Sequence, residues 1–559
     1  MVNLRKKKKA EQLDNFSHFD VHKWSDYPQV KTATDKLYGL LKKKKLVDGN
    51  TKIEKKHLRV LLLDLYANWV VDPEKYSAIY MGTKYYKQNI YNALHISRKT
   101  VKLVDILKKE GYLRKEVGYQ DPAPERSKKT RIRANKKLIN LLIKCHLEPH
   151  MIERAPTQVN IVLRGEKLIV KNEKGKKVKK MGEEIDYTQD KQYKKLLPKI
   201  NKLRQDMCAY NNLIRRTFIA IPCFPQKGIQ TRNKKRKIRI NHSNNFIRRI
   251  FNDGSFKKGG RYYGGWWTRL PSLWRKRIRI NDHKVVEVDY SGIHIVMLYA
   301  LKGIDYWKTV NKDPYDISGI EHSETMRKLM KVILLSSINA ANKGKARKAI
   351  LYEINIRQKE EFYYWYKNSK IDINKIMDSF VKFHEPIKDM FFSNMGIELQ
   401  YADSRMAEII INYFTIKEIS VLCVHDSFII ELKHKNELIE KMHEAFKAIM
   451  REFYKGKYNI TNQIKIEIKD RMDEKKRRIE LNLDRGAKDV ATVLELLNSI
   501  DLEKRTRIHE PRLKLKVNLE GIDRGEDEYN RLLKKDDKEF KMNERIYKER
   551  VWDRNYYYF

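Results

Sequence analysis

Cysteine is scarce in this chain and is not grouped. The 559 residues include four cysteines, Cys145, Cys208, Cys223 and Cys423, and none of them stands at the spacing of a metal-ligand motif. This scatter excludes a zinc-finger type of site and a disulfide-stapled secreted fold. We therefore expect reduced thiols in a cytoplasmic protein, in a bacterium or a phage-infected host.

Long apolar runs are also missing. No uninterrupted stretch approaches the roughly 18 residues that a membrane-spanning helix needs, and the residues Met1–Ala10 are rich in lysine instead of apolar side chains. The sequence thus predicts neither a membrane partner nor a secretory signal.

Negative charge is in short supply. Lysine and arginine number 120 against 72 aspartates and glutamates, which gives a formal net charge of +48. Such an excess goes far beyond what solubility requires and suits a polyanionic partner, of which nucleic acid is the main candidate. The length and a hydrophobic content of 41% are enough for two or three domains.

Two helices are predicted in the first quarter of the chain. From Lys56 onwards, leucines recur at the spacing of one buried face: Leu58, Leu61, Leu62 and Leu65. A second helix is predicted over Arg98–Glu110, where Ser97 can cap the start and Gly111 ends the helix. The residues predicted to face the core of that second helix are Val101, Val104 and Leu107.

A basic hairpin is predicted after the second helix, with strands at Tyr112–Val117 and Thr130–Ala134. A short helix, a recognition-like helix and a basic hairpin resemble a winged helix-turn-helix. The resemblance implies that four basic residues contact a DNA duplex: Arg98, Lys99, Lys102 and Arg131. An ordinary surface helix with solvated charges is the alternative.

Two apolar, β-rich runs contain an aspartate at their end, Lys284–Gly292 with Asp289 and Ile419–Ile430 with Asp426. Laid side by side, such strands can hold two carboxylates close enough to share divalent metal ions. Between them in the sequence, Arg327 and Lys331 fall on one helical face and can grip a triphosphate. Carboxylates for metal and cations for phosphate together suggest a polymerase.

At these motifs the chain resembles the family A DNA polymerases and the related single-subunit RNA polymerases. The sequence DYSGI that begins at Asp289 resembles the first palm motif. The sequence HDSF that begins at His425 resembles the third palm motif, in the H-D-S form of the RNA enzymes. Arg327 and Lys331 match the R-x-x-x-K start of the fingers helix.

Two further pieces stand in the order that this family shows. Upstream, Gly260-Arg261 and then Arg275 resemble the segment that lies along primer and template. Downstream, Gln400 and the helix after it resemble the glutamine and helix that precede the third motif. The order of all five pieces makes coincidence a poor explanation, since each piece alone is a weak signal.

The resemblance implies a role for each matched residue. Asp289 and Asp426 would bind two magnesium ions, with manganese as an alternative. Arg327 and Lys331 would contact the incoming phosphates, and His425 would lie beside the primer terminus. The other matched residues would line the substrate site, in the case of Tyr290 and Gln400, or hold nucleic-acid backbone, in the case of Arg261 and Arg275. A satisfied strand-end histidine is the alternative for His425, and a structural or solvated role is the alternative for the two arginines.

The chain also departs from the family. His294 stands where the DNA enzymes carry a glutamate that excludes the 2′-hydroxyl, and Asn339 stands where both families usually place a tyrosine. Sugar selectivity therefore does not carry over. The aromatic, glycine-rich run Gly259–Trp267 either stacks on unpaired bases or forms a turn with its tryptophans in the core.

We expect an α+β fold with a right-hand polymerase palm built on an antiparallel sheet, helical fingers and thumb, and an N-terminal winged helix. The expected divisions are a basic flexible arm over 1–50, the winged helix over 51–140, a connector with thumb-like helices over 141–243, palm and fingers over 244–470, and a charged extension over 471–559.

The function expected from the sequence is a template-directed DNA polymerase without a proofreading exonuclease, of the kind that a phage or mobile element uses for replication. Its partners would be a DNA primer-template, with RNA as an alternative, and nucleoside triphosphates, and we expect a monomer. One alternative is a single-subunit RNA polymerase or primase on the same scaffold. Another is a non-catalytic replication initiator or repressor that binds DNA.

Overall fold

The structure is a computed structural model. It describes residues 13–47, 49, 51–119, 128–171, 177–180, 182–222, 224, 228–230, 237–310, 312–317, 323–356, 361–454 and 466–469. The α-helices of these residues are α1 Pro28–Lys43, α2 Thr51–Val71, α3 Lys99–Lys109, α4 Lys136–Lys144, α5 Leu197–Arg216, α6 Ser272–Arg275, α7 Ile293–Leu301, α8 Tyr306–Thr309, α9 Glu324–Ile338, α10 Lys343–Ile356, α11 Glu361–Asn368, α12 Ile373–Phe383, α13 Gly396–Ile416 and α14 Lys435–Tyr454.

The strands are β1 Phe16–His18, β2 Lys23–Trp24, β3 Tyr76–Ile79, β4 Leu113–Glu116, β5 Thr130–Ala134, β6 Glu153–Arg154, β7 Ile161–Leu163, β8 Leu168–Lys171, β9 Lys177–Lys180, β10 Ile219–Ala220, β11 Ile229–Gln230, β12 Lys237–Ile238, β13 Ile247–Asn252, β14 Ser255–Gly264, β15 Arg279–Ile280, β16 His283–Tyr290, β17 Leu422–Val424, β18 Ser427–Glu431 and β19 Ile466–Lys469. Within the described ranges, no helix is both long and apolar enough to span a membrane.

The N-terminal unit is a four-stranded sheet, in the order β1-β3-β5-β4, covered by helices. Strand β1 runs parallel to β3, whereas β3–β5 and the β4–β5 hairpin are antiparallel. Helix α2 lies at the centre of this unit, and the four leucines predicted for its buried face are all buried. That prediction is confirmed.

The expectation of a flexible arm over residues 1–50 is wrong for residues 13–47. Helix α1 packs into the same core as α2 through Val30, Leu37 and Leu41. The many lysines of α1 hid this pattern, although its apolar residues recur at helical spacing and its lysines can face solvent. The N-terminal unit therefore begins before residue 51, while residues 1–12 lie outside the described part of the chain.

Helix α3 and the hairpin that follows it agree with the sequence. The helix ends before Gly111, whose φ of 74° is the left-handed conformation that glycine adopts without strain. Val101, Val104 and Leu107 are buried as predicted. Strands β4 and β5 fall within the two predicted segments, and the eight residues 120–127 at the tip of the hairpin lie outside the described residues.

Helix α5 connects the N-terminal half of the chain to the largest sheet. The sequence predicts helix from Gln192 to about Leu213, and the structure shows it, with a 3₁₀ turn before α5. The Tyr210 hydroxyl donates a hydrogen bond of 2.7 Å to the Val421 carbonyl, next to β17. Helix α5 thus supports the sheet that carries the candidate site.

The largest sheet has the order β10-β15-β16-β18-β17, and β19 pairs with β16 on the edge opposite β18. Its central strand β16 pairs Asp289 with Ser427 of β18 and with Glu467 of β19. Helix α7 follows β16 and is buried along its whole length, and α13 and α14 pack in the same core. Helices α8 to α12 lie between β16 and α13 in the chain, as the spacing of the two aspartates predicts.

The protein is therefore a mixed structure of helices and mostly antiparallel sheets, and the α+β prediction is confirmed at that level. A smaller sheet, in the order β14-β13-β7, lies beside α13. The predicted extension over 471–559 lies outside the described residues.

Candidate active site

Asp289 lies on strand β16 as expected, but Asp426 is not on a strand. The run Ile419–Ile430 is not one strand; it forms the β17–β18 hairpin, which turns at His425 and Asp426. His425 has a φ of 61°, the left-handed conformation of a tight two-residue hairpin turn. Asp426 therefore lies at the tip of a hairpin, beside Ser427, which pairs with Asp289.

A buried glutamate on β16 binds both this hairpin and a nearby arginine. Glu287 lies two residues before Asp289, on the same face of β16, and is buried. It accepts hydrogen bonds from the Ser427 hydroxyl at 2.9 Å and from Nη2 of Arg275 at 2.7 Å. Arg275 also donates to the Leu270 carbonyl at 2.8 Å. These bonds favour the structural role for Arg275, because its guanidinium is already held within the protein.

A second polar cluster joins three elements near the same hairpin. Asp403 of α13 is buried and accepts hydrogen bonds from Nε and Nη2 of Arg261 on β14. Its Oδ2 also lies 3.3 Å from Nε2 of His294 on α7. Burial acts to lower the pKa of Arg261, but the charge of Asp403, supported by Asp426, outweighs it and raises that pKa.

Asp403 is a candidate site residue to which the sequence analysis gave no role. The signal was present in the sequence: an acidic residue stands among the apolar positions of a helix, and a buried carboxylate requires a partner. What the sequence did not show is that the partners would be Arg261 and His294. In consequence, a carboxylate does lie beside position 294, although it comes from another helix.

The strand that carries Arg261 packs closely on α13. Arg249 of β13 is buried and donates to Glu408 at 2.7 Å and to the Gly260 carbonyl at 3.0 Å. Gly260 has a φ of 76°, and a Cβ there would lie 2.9 Å from Oγ of Ser404. The same Cβ would lie 2.7 Å from Cε1 of Phe251 on β13, so a side chain at Gly260 would be crowded by both β13 and α13.

The two predicted phosphate-binding cations share one face of α9, as expected. Nε of Arg327 donates to Oδ2 of Asp313 at 2.6 Å. The Arg327 guanidinium carbon lies 5.0 Å from the centre of the Tyr315 ring, and Nζ of Lys331 lies 5.1 Å from it. Both cations therefore converge on one tyrosine.

Tyr315, which the sequence analysis missed, lies beneath both cations, and the charges of both aspartates affect its hydroxyl. Burial raises the pKa of its hydroxyl, and the charges of Asp426 and Asp289 raise it further, against the opposing effect of Arg327. The segment is anchored by Pro314, whose carbonyl lies 3.0 Å from Nε2 of the buried His384. No sequence pattern marks Tyr315, because its importance arises from where this loop lies in the fold.

His425 is exposed at the hairpin tip, and its ring centre lies 6.0 Å from that of Tyr263. Partial desolvation lowers the pKa of His425, and the positive charge of Arg261 lowers it further. The imidazole is therefore neutral at pH 7, so it can donate one hydrogen bond and accept another.

Tyr290 does not reach this face, which corrects its assignment to substrate binding. It follows Asp289 directly, so its side chain lies on the opposite face of β16. Its hydroxyl donates to the Met442 carbonyl at 2.6 Å, and burial raises its pKa. Tyr290 is a core residue that ties the sheet to α14.

Asn339 lies at the junction of α9 and α13, and Gln400 lies further along α13. Asn339 ends α9 and donates to the Leu335 carbonyl at 2.7 Å. Its amide side chain packs against Gly396, the first residue of α13, where a Cβ would clash. Gln400 is half-buried, one turn of α13 before Asp403. These contacts give Asn339 a role in joining the helices.

In the aromatic run Gly259–Trp267, the tryptophans lie in the core, as the second of the two alternatives predicted. Trp266 and Trp267 are both buried, and the Trp267 indole donates to the Cys423 carbonyl at 3.3 Å. Of the run's aromatic residues, only Tyr263 remains substantially exposed.

Of the four basic residues predicted to contact DNA in the N-terminal unit, three are exposed and one is buried. Arg98, Lys99 and Lys102 are exposed at the start of α3. Arg131 is buried; its guanidinium lies 3.7 Å from the Phe16 ring centre, and burial lowers its pKa. The prediction that Arg131 contacts a duplex is therefore wrong, because its side chain faces inward from the hairpin.

Within the described residues, no group of three or more histidine, cysteine, aspartate or glutamate side chains is arranged as a metal site. The site thus offers the two carboxylates of Asp289 and Asp426. Oxygen ligands of this kind suit a hard divalent ion that takes its remaining ligands from phosphate and water.

Comparison with known proteins finds a partial likeness among solved structures and no family. No protein-family model matches the chain, and no curated protein matches it. Among solved structures, the chain is similar to the POL domain of Pol1 from M. smegmatis, which was solved in complex with DNA primer-template and dNTP. The identity is 10%, the TM-score is 0.23, and the match covers 49% of this chain and 51% of that one. The chain thus spans about half of that structure, and at this TM-score the likeness decides neither fold nor function.

Proposed function

We propose that the protein is a template-directed nucleotidyltransferase, a DNA polymerase of the family A type that extends a primer. One observation carries the proposal. Asp289 on β16 and Asp426 in the turn before its partner strand β18 supply two carboxylates. Arg327 and Lys331 supply two cations over the ring of Tyr315, and the charges of both aspartates raise the pKa of that tyrosine. Phosphoryl transfer needs these two sets of charge on either side of a triphosphate.

Asp289 and Asp426 hold the metal ions in this proposal. The chemistry supplied by bound magnesium, or manganese, is a lowered pKa of the primer 3′-hydroxyl and neutralisation of the leaving pyrophosphate. The two-residue turn at His425 and Asp426 places the second carboxylate directly before β18, and the hydrogen bond from Ser427 to Glu287 joins β18 to β16.

Arg327 and Lys331 bind the triphosphate in this proposal. In the described state Arg327 pairs with Asp313, and both cations lie over Tyr315, so a nucleotide would replace these contacts. A bond forms between the primer 3′-oxygen and the α-phosphorus, and the bond to the β-phosphate oxygen breaks. Pyrophosphate leaves, and the hydroxyl proton passes to solvent.

We also propose that the N-terminal unit binds duplex DNA as a winged helix. Helix α2, strand β3, helix α3 and the β4–β5 hairpin follow one another in the order of that motif, with β3 paired to β5. The exposed cations Arg98, Lys99 and Lys102 lie at the start of α3, where a recognition helix contacts base edges and phosphates.

An RNA polymerase or primase is the second candidate, and His294 is the observation that favours it. An imidazole leaves a ribose hydroxyl a hydrogen-bonding partner, whereas a glutamate at this position would crowd it. The buried Asp403 beside His294 favours deoxyribose instead, because it restores a negative charge near the position where the DNA enzymes carry a glutamate. A non-catalytic DNA-binding protein has no need for carboxylates and cations arranged in this way.

The test is primer extension by the full-length protein in magnesium, with separate pools of deoxynucleotides and ribonucleotides on DNA and RNA templates. We expect extension with deoxynucleotides that is lost in Asp289→Asn and in Asp426→Asn. Asp378→Asn, at an exposed carboxylate on α12, is the matched control and should extend normally. Absence of extension by the parent protein in every pool, or undiminished extension by both site variants, would overturn the proposal.

A further inference from the structure

An aromatic stack lies at the surface of the N-terminal unit, far along the chain from the candidate active site. The rings of Tyr80 and Tyr85 are stacked, with centres 3.8 Å apart and planes inclined by 22°. The His18 ring lies parallel to Tyr80 at 6.3 Å. Tyr85 is 50% exposed. A flat aromatic surface supported from below is thus open to solvent.

A lysine adds positive charge to this stack. Nζ of Lys129 lies 4.1 Å from the centre of the Tyr80 ring and donates to the Tyr80 hydroxyl. Desolvation lowers the pKa of His18, and the charges of Lys129 and Arg131 lower it further, so the ring remains uncharged at pH 7. A planar surface next to a cation is the combination that binds a base together with its phosphate.

The stack lies between the start of α3 and the hairpin. Tyr86, the residue after Tyr85, is buried in an apolar cluster with Val101 of α3, and its hydroxyl donates to the Tyr80 carbonyl at 2.8 Å. Lys129 directly precedes β5, so it belongs to the hairpin. Tyr119 of the hairpin is also exposed. The stack is therefore held by the two elements that carry the proposed duplex-binding surface.

We propose that Tyr85, supported by Tyr80 and His18 and with Lys129 beside them, stacks on unpaired bases next to a duplex. The ligand is a single-stranded nucleotide segment, of DNA or RNA, because every base offers a flat face and the chain carries a net charge of +48. A protein or lipid partner would be a poorer match for a cation that lies over a ring. The proposal concerns binding alone, so it stands whether or not the protein adds nucleotides.

The test is fluorescence anisotropy with the full-length protein, without nucleotides, on four labelled hairpins. They are a blunt DNA hairpin and otherwise identical hairpins with a DNA overhang, an RNA overhang or an abasic DNA overhang. We expect the parent protein to bind the base-containing overhangs more tightly than the blunt and abasic forms. A preference between the DNA and RNA overhangs identifies the source of the unpaired bases.

Tyr85→Ala should weaken binding to the base-containing overhangs by about tenfold and leave binding to the blunt hairpin unchanged. Tyr85→Phe keeps the flat ring and should bind like the parent protein. Leu40→Ala, which removes another exposed apolar side chain from the same unit, is the matched control. If Tyr85→Ala fails to fold, Tyr85→Leu gives the same comparison, since it keeps apolar bulk without a flat face.

Two outcomes would overturn the proposal. In one, the parent protein binds abasic and base-containing overhangs equally. In the other, the loss in Tyr85→Ala, or in Tyr85→Leu, is the same for the blunt hairpin as for the overhangs. Loss of primer extension plays no part in either outcome, so a failure here is distinct from a failure of the polymerase proposal.

Discussion

Two regions use their charged residues in opposite ways: the largest sheet, here called the central sheet, with the elements packed around it, and the start of α3 in the N-terminal unit. Around the central sheet, arginines pair with carboxylates inside the fold, as in Arg275–Glu287, Arg249–Glu408 and Arg261–Asp403, and at least one partner of each pair is buried. In the N-terminal unit, the cations at the start of α3 come from one short stretch and remain exposed. The first arrangement fixes geometry, and the second leaves charge available to a partner. Substitutions in the two regions should therefore differ in kind as well as in size.

The largest effect is expected at the carboxylates of the central sheet. Asp289→Asn and Asp426→Asn should each lower kcat for nucleotide addition by several orders of magnitude, because each removes a main protein ligand of the metal ions. The secondary structure measured by circular dichroism should not change. Near-parental kcat in either folded variant would contradict the assignment.

The buried pairs of the central sheet should control stability. Glu287→Ala leaves Arg275 with little solvent and no counter-charge, so we expect a loss of about 3–5 kcal/mol in the free energy of unfolding measured with urea. Lys343→Ala, which breaks an exposed pair with Asp378, should cost less than about 1 kcal/mol. Equal losses in the two variants would remove the distinction between buried and exposed ion pairs.

The pH dependence of stability should reveal the buried His384 behind the Tyr315 segment. Burial lowers its pKa from 6.5 to about 4 in the folded protein. Between those values the unfolded chain binds the proton and the folded protein does not. The free energy of unfolding should therefore be highest above pH 6.5 and fall by about 3 kcal/mol as the pH drops to about 4.

His384→Gln should flatten this part of the pH profile, because glutamine does not titrate. His146→Gln, at an exposed position, is the control and should leave the profile as it is in the parent protein. A parental profile in His384→Gln would show that another group is responsible.

A further prediction concerns the choice between deoxyribose and ribose, which we expect to depend on two residues of helices packed in the core beside the central sheet. His294→Glu would place a second carboxylate beside Asp403, so we pair it with Asp403→Asn to avoid repulsion. The double variant should favour dATP over ATP by one to two orders of magnitude more than the parent protein, equivalent to about 1–3 kcal/mol. The measurement is the ratio of kcat/KM for the two nucleotides. No gain in the double variant, or a parent protein that already rejects ATP more than about ten-thousandfold, would place sugar selection elsewhere.

The smallest effect on chemistry is expected in the N-terminal unit. Replacement of Arg98, Lys99 and Lys102 by alanine should weaken duplex binding and reduce the slope of log K against log salt by about 3, one for each lost phosphate contact. The kcat on a saturating primer-template should not change. A salt slope equal to that of the parent protein would show that α3 does not contact the duplex.

The sequence was most informative about features that depend on the spacing of residues within one helix. The helix that ends at Gly111, the buried leucines of α2 and the shared helical face of Arg327 and Lys331 follow from spacing alone. The hairpin turn at His425 did not, because an apolar run long enough for one strand is also long enough for two short ones.

The residues that the sequence analysis missed act through contacts between distant segments. Asp403 is 142 residues from Arg261 along the chain, and Glu287 is 140 residues from Ser427. Such pairings depend on the packing of the whole fold, so neither the periodicity of the sequence nor a motif predicts them. The inward position of Arg131 has the same origin, since the face of a hairpin residue depends on what covers the sheet.

Two strands that pair with β16 are synthesised long after it. Its partners β18 and β19 lie far downstream, and β19 ends only at Lys469. During synthesis, β15 can pair with His283 and Lys284 at the start of β16, but the part that carries Asp289 leaves the ribosome long before β18 and β19 exist, with both of its edges open to unwanted pairing. A chain stopped before Ile466 would keep one of those edges exposed, so truncation there should yield a protein that associates with itself.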